Sequence, residues 1–263
     1  MFRRVAVLAA AVALTSAALA VPAEASHSWG NYHWARTSNP FTLKVGNNID
    51  QAKWGTAFNT SNSDWSASSV LNLTAVAGST TGKLCKATPG RVEVCSASYG
   101  RNGWLGLASI SITGGTHITQ GTAKMNDTYF DTATYNNPNE KLHVMCQEVG
   151  HTFGLGHTSE DGSSQNTCMD YFSNTGANAT STQSTHPNAH DYAQLESIYA
   201  HLDSTSTVGA SAPLGATVSN DRSSWGREVH RAPNGRNSVF VRDFGHGNLT
   251  VTHVTWVDGH VHD

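Results

Sequence analysis

The run from Glu140 to Phe153, EKLHVMCQEVGHTF, constrains this chain more than any other stretch. Leu142, Met145, Val149 and Phe153 recur at helical spacing, and Asn139 offers a cap with an acidic residue in the first turn. A helix is therefore predicted over 140–153. On it Gln147 and His151 stand at i, i+4 and meet on one face, about 5–6 Å apart at Cβ. Glu148 is one step round. Gly154 can take a positive φ and end the helix, so the chain can turn back and bring in His157 from another element. Three donors, Gln147, His151 and His157, thus converge beside a carboxylate. Zinc in a hydrolytic site takes three protein ligands and keeps a fourth position for water. Glu148 is then left free to take a proton from that water, whose pKa the ion lowers to about 7.

These residues carry a resemblance. QEVGHTFGLGH is similar to the signature of the metzincin clan of zinc metalloproteases, H-E-x-x-H-x-x-G-x-x-H followed by a Met-turn. It matches at Glu148, His151, Gly154 and His157, and Gly150 and Leu155 are matrixin-like. Cys168-Met169-Asp170-Tyr171 begins eleven residues past His157 and supplies the Met-turn. The resemblance covers roughly residues 33–203. The first histidine of the signature is Gln147 here. A carboxamide can ligate through Oε1 but is a weaker donor than imidazole, so either the zinc is held more loosely or the site is metal-poor.

The resemblance implies an α+β catalytic domain: a twisted mixed sheet, an active-site helix, a Met-turn and a C-terminal helix. It implies a Zn2+ cofactor on Gln147, His151 and His157, with Glu148 catalytic and Met169 a hydrophobic floor. Tyr171 has two readings, a movable ligand that helps hold the transition-state oxyanion or a packed Met-turn tyrosine. Trp104 to Ile110 takes the place of the edge strand that pairs with substrate backbone, the plainer reading being an interior strand. His143, one turn before Gln147, reads as a polar residue on the helix surface.

Elsewhere the pattern is mixed. FTLKV after Pro40 alternates as a strand, residues 49–66 read as a helix through Trp54, Phe58 and Trp65, and VLNLTAVA over 70–77 reads as a buried strand. Strands are predicted over 104–113 and 118–125, and a second helix from His190 through Leu202. Asn188 or Asp191 is read as its cap. Four cysteines allow three pairings. Pro89-Gly90 between Cys85 and Cys95 makes a local hairpin bridge the simplest, which leaves Cys146 with Cys168. Set beside the Met-turn, that second bridge would clamp the metal helix to the floor of the site.

Residues 1–25, with Arg3 and Arg4 before an apolar run and Ala23-Glu24-Ala25 at its end, read as a secretory signal peptide. Residues 26–203 form the metzincin-like domain. Residues 204–263 form a Ser/Thr/Gly/Pro-rich linker and a β-rich extension, with strands at 225–230, 238–243 and 249–257. That extension is read either as a small appendage or as a segment wrapping back on the domain. Its histidines His246, His253, His260 and His262 share no spacing and read as surface residues.

With 13% charged residues and a net charge of −3, the 263-residue chain has no basic run for nucleic acid or an anionic membrane. The expectation is a secreted, monomeric, extracellular zinc endopeptidase acting on peptide or protein substrates. The alternative is a metzincin-like domain that binds a peptide or protein without cleaving it.

Overall fold

The computed structural model describes residues 27–211 and 219–260. The signal-peptide expectation falls outside them. The architecture is α+β. Nine strands form one mixed sheet: β1 (His33–Trp34), β2 (Phe41–Asn48), β3 (Leu71–Ala77), β4 (Val92–Ala97), β5 (Trp104–Thr113), β6 (His117–Asn126), β7 (Arg227–Arg231), β8 (Asn237–Asp243) and β9 (Leu249–Trp256). Four helices accompany it, α1 (Gln51–Trp65), α2 (Asp127–Phe130), α3 (Pro138–His151) and α4 (Ala189–Ile198).

The sheet order is β3-β2-β4-β6-β5-β9-β8-β7, with β1 added in parallel to β6. The half from β3 to β6 is parallel, and everything from β5 onward is antiparallel. That division follows the connections: α1 carries the chain from β2 to β3, whereas short turns join β5 to β6 and β8 to β9.

Each long helix has a local reason to start where it does. Asp50 accepts from the amides of Ala52 and Lys53 at the head of α1. Asn137 accepts from the Glu140 amide at the head of α3. The predicted cap, Asn139, lies inside that helix instead, because Pro138 lacks an N–H and suits the first helical position. Asn188 and Asp191 form a reciprocal capping box on α4, the cap expected for that segment.

The main core lies between the sheet and helices α1 and α3. Trp54, Phe58, Trp65, Met145, Val149 and Phe153 pack there against Leu43, Val45, Val92 and Ile110. The indole of Trp65 also donates to the Cys146 carbonyl at 3.1 Å, tying α1 to α3. A smaller cluster of Trp104, Leu107, Trp225, Phe240, Val254 and Trp256 joins β5 to the C-terminal strands.

Two open readings are decided and two expectations are corrected. The extension is not an appendage: β7, β8 and β9 continue the main sheet, and β9 runs antiparallel along β5 from Trp104↔Trp256 to Ile112↔Leu249. Consequently β5 is an interior strand with both edges paired, not an exposed edge. The strand at 71–77 is mostly exposed because it ends the sheet. Cys85 is not on a strand, so its bridge pins a loop to β4 and does not staple a hairpin.

Both disulfides, Cys85–Cys95 and Cys146–Cys168, are formed, which fits an oxidising compartment. Among the described residues no helix is long and apolar enough to cross a membrane.

Candidate metal centre

Helix α3 ends at His151, and Gly154 with φ +94° reverses the chain, as anticipated. No larger residue suits that position, since a Cβ there would run into the Tyr32 carbonyl. The reversal returns His157 to His151, so that their Nε2 atoms face each other at 3.0 Å.

The outer nitrogens are already engaged. His151 Nδ1 donates to the Leu155 carbonyl at 2.8 Å, which leaves the Nε2 of a neutral ring as a bare lone pair. His157 Nδ1 lies 3.0 Å from the Tyr171 hydroxyl. Burial lowers the pKa of both rings, His151 to about 4 and His157 well below the ordinary imidazole value, with neighbouring imidazoles adding to the second shift. Two neutral imidazoles therefore aim into one space. Zinc–nitrogen bonds of 2.0–2.1 Å in a tetrahedron set ligand atoms about 3.3 Å apart, close to the separation seen.

The third member comes from the far end of the chain. His253 of β9 is buried and stacks on His151 with ring centroids 4.0 Å apart and planes 10° apart. Among the described residues neither of its ring nitrogens has a hydrogen-bond partner. Burying an unpaired imidazole is costly, and a cation shared with His151 and His157 removes that cost. One nitrogen from each of the three lies within 4.8 Å of the others, close enough to hold a metal ion. The expectation of a surface role for His253 is thus overturned. Its alternation with Thr255 on one face of β9 points both side chains at α3. That alternation was the available signal, but it has meaning only once β9 is known to pair with β5.

Gln147 is buried on the expected face of α3, and its amide is committed elsewhere. Nε2 donates to the carbonyls of Cys168 at 2.9 Å and Asp170 at 2.8 Å. Both partners can only accept, so the amide orientation is determined, and Oε1 accepts from the Thr255 hydroxyl at 2.9 Å. Gln147 thereby fastens the segment from Cys168 to Asp170 to α3, parallel to the Cys146–Cys168 bridge one residue earlier.

Glu148 is completely buried, and its Oε1 lies 2.7 Å from the same Thr255 hydroxyl. Gly106 of β5 makes room for it, since a Cβ there would overlap Oε1. Its Oε2 is buried without a partner. Burial raises the Glu148 pKa to about 8, so the group is mostly neutral at pH 7.

Met169 lies under the helix, where Gly150 leaves space: a Cβ on Gly150 would stand 2.7 Å from the Met169 sulfur. Tyr171 sits behind His157, its ring centroid 4.3 Å away, and its hydroxyl addresses the outer nitrogen of that ring. His143 is buried, not on the surface, with Nδ1 3.2 Å from Asn174 Oδ1. The His/Gln/Tyr/Met constellation read from the sequence is therefore brought together. Within it Gln147 holds the Cys168 and Asp170 carbonyls, Tyr171 backs His157, and His253 stacks on His151.

No family model matches this chain, and no curated protein matches it.

Proposed function

We propose that this chain is a zinc-dependent endopeptidase of metzincin type, with His151, His157 and His253 as its metal ligands. The observation that carries the reading is the meeting of three buried imidazoles. Two have their outer nitrogens engaged and their Nε2 atoms 3.0 Å apart, and the third has both nitrogens unpartnered. The ion supplies Lewis acidity toward a peptide carbonyl and lowers the pKa of water.

The chain's own residues supply the rest. Glu148, three residues before His151 on α3, is the carboxyl that would take a proton from water and return it. The Leu155 carbonyl holds His151 in the tautomer that leaves Nε2 free, and the Tyr171 hydroxyl orients the His157 ring from behind. Gln147 and the Cys146–Cys168 bridge hold the floor against the helix.

A second reading rests on one observation. β9 occupies the edge of β5 where a substrate strand would pair, and Glu148 is 0% exposed. In that reading the metal fastens the C-terminal strands and the domain binds a partner without cleaving it. Cleavage of denatured casein by the zinc-loaded full chain separates the two. The endopeptidase reading expects cleavage that Glu148→Ala abolishes while zinc stays bound. A folded, zinc-loaded protein without activity supports the second.

A further inference from the structure

A second group of ligand-type side chains shares no residue with the first. His33 comes from β1, His117 opens β6, and His201 and Asp203 follow α4. We propose that His33, His117 and Asp203, with His201 beside them, form a second site for a divalent transition-metal ion of zinc type. The ion would tie β1, the head of β6 and the chain beyond α4 into one joint. This inference goes beyond the proposed endopeptidase activity and does not depend on it.

One atom organises the group. Asp203 Oδ1 lies 3.2 Å from His117 Nε2, 3.4 Å from His33 Nε2 and 3.7 Å from His201 Nε2. His201 Nε2 stands 3.2 Å from His33 Nε2. Oδ2 is occupied separately by the Arg36 guanidinium at 2.9 Å and the Arg36 amide at 3.2 Å, so Oδ1 alone faces the imidazoles. The rings of His117 and His201 meet that of His33 at 81° and 90°, so they approach it edge to face and not as a stack.

The tautomer of His33 aims its free ring nitrogen at Asp203. Its Nδ1 lies 2.7 Å from the Asn31 carbonyl, which can only accept, so the ring hydrogen is on Nδ1. A neutral His33 then presents a lone pair at Nε2 toward the lone pairs of Asp203 Oδ1. Either a second proton on the ring or a metal ion between the two atoms makes that contact favourable, and the three ligand atoms lie close enough together for the ion. Two imidazole nitrogens and one carboxylate oxygen, spaced 3.2–3.4 Å from the shared oxygen, match the roughly 3.3 Å spacing of a tetrahedral zinc shell. Imidazole with carboxylate selects a first-row transition ion over calcium or magnesium, which prefer all-oxygen shells.

The experiment is a zinc titration of the full chain after stripping with a chelator, read by competition with a chromophoric chelator and by Tm. The paired change His117→Ala and His201→Ala removes two partly exposed side chains and leaves the Arg36–Asp203 pair intact. It is expected to bind one zinc equivalent fewer than the unaltered protein and to lose part of the zinc-induced rise in Tm. A site filled at a hundredfold excess over its Kd raises Tm by about 5–10 °C in a domain of this size. His157→Ala is expected to lose a different equivalent and to keep this one. In the unaltered protein, zinc is expected to protect His117 and His201 from diethyl pyrocarbonate, read by peptide mass. Unchanged stoichiometry in the paired variant, or equal labelling of both histidines with and without zinc, overturns the proposal. If His157→Ala alone leaves stoichiometry unchanged, the fault lies with the first site and not with this one.

Discussion

Glu148→Gln in the metal-free protein is the perturbation whose size the structure allows to be worked out. The carboxyl is fully buried, and its pKa is raised from the ordinary 4.5 to about 8. The unfolded chain therefore releases this proton near pH 4.5 while the folded chain keeps it until near pH 8. A group raised in this way contributes most to stability below its unfolded pKa, and that contribution is lost as pH rises through the folded value. At 1.36 kcal/mol per pKa unit, the full loss is about 5 kcal/mol, of which about 3 kcal/mol falls between pH 5 and pH 8. The carboxamide of the variant has the same shape and no proton to release.

Urea denaturation of both proteins in chelator, at a series of pH values, measures the difference. Glu140, raised to about 7, and the depressed histidines titrate in both proteins and drop out of the comparison. The wild type is expected to lose about 3 kcal/mol relative to Glu148→Gln between pH 5 and pH 8. Stability curves that stay parallel across that window would refute the buried, neutral carboxyl of the metal-free protein.

Three further outcomes follow from contacts already described. His253→Ala should weaken zinc binding at the first site by more than about 100-fold in a competition titration, beyond the 10–100-fold typical of a residue that only orients a ligand; an unchanged Kd removes it from the ligand set. Tyr171→Phe, by contrast, should weaken zinc binding within that 10–100-fold range, since it takes only the hydroxyl from His157 Nδ1, and a loss as large as that of His253→Ala would make it a ligand in its own right. Gln147→Ala leaves the buried Cys168 carbonyl unpaired and takes one partner from that of Asp170, which also accepts from His143, and should cost about 1–3 kcal/mol in urea denaturation, with zinc Kd moved less than by His253→Ala; the reverse ranking would restore Gln147 as a ligand.

What could be read from the sequence was what is local. The span of α3 follows from apolar spacing and the reversal from Gly154; the Cys146–Cys168 pairing was reached only as the remainder of a hairpin bridge that the structure replaces with a bridged loop. The strands of the extension were legible one at a time through their alternation. Their destination was not. Whether β9 pairs with β5 is a contact between residues nearly 150 positions apart, and no local pattern encodes it. That one pairing decides three things at once: the interior status of β5, the burial of Glu148 under Thr255, and the entry of His253 into the site.

Gln147 misled for a related reason. Its spacing from His151 is that of a ligand, but two carbonyls of the Met-turn, more than twenty residues away, claim its amide first. His33, His117, His201 and Asp203 are scattered along the chain, so nothing in their spacing suggested a group. β1 pairing with β6 brings the first two together, and the amide of Asp203 pairing with the Arg36 carbonyl brings in the last two.

Zinc-edge anomalous diffraction from crystals of the zinc-loaded full chain tests the central claim most directly. The account predicts a peak about 2.0–2.1 Å from Nε2 of His151, Nε2 of His157 and one ring nitrogen of His253, with the Gln147 amide still bonded to the Met-turn carbonyls. A peak ligated by Gln147 Oε1 with His253 outside the shell, or no peak between His151 and His157, would contradict it.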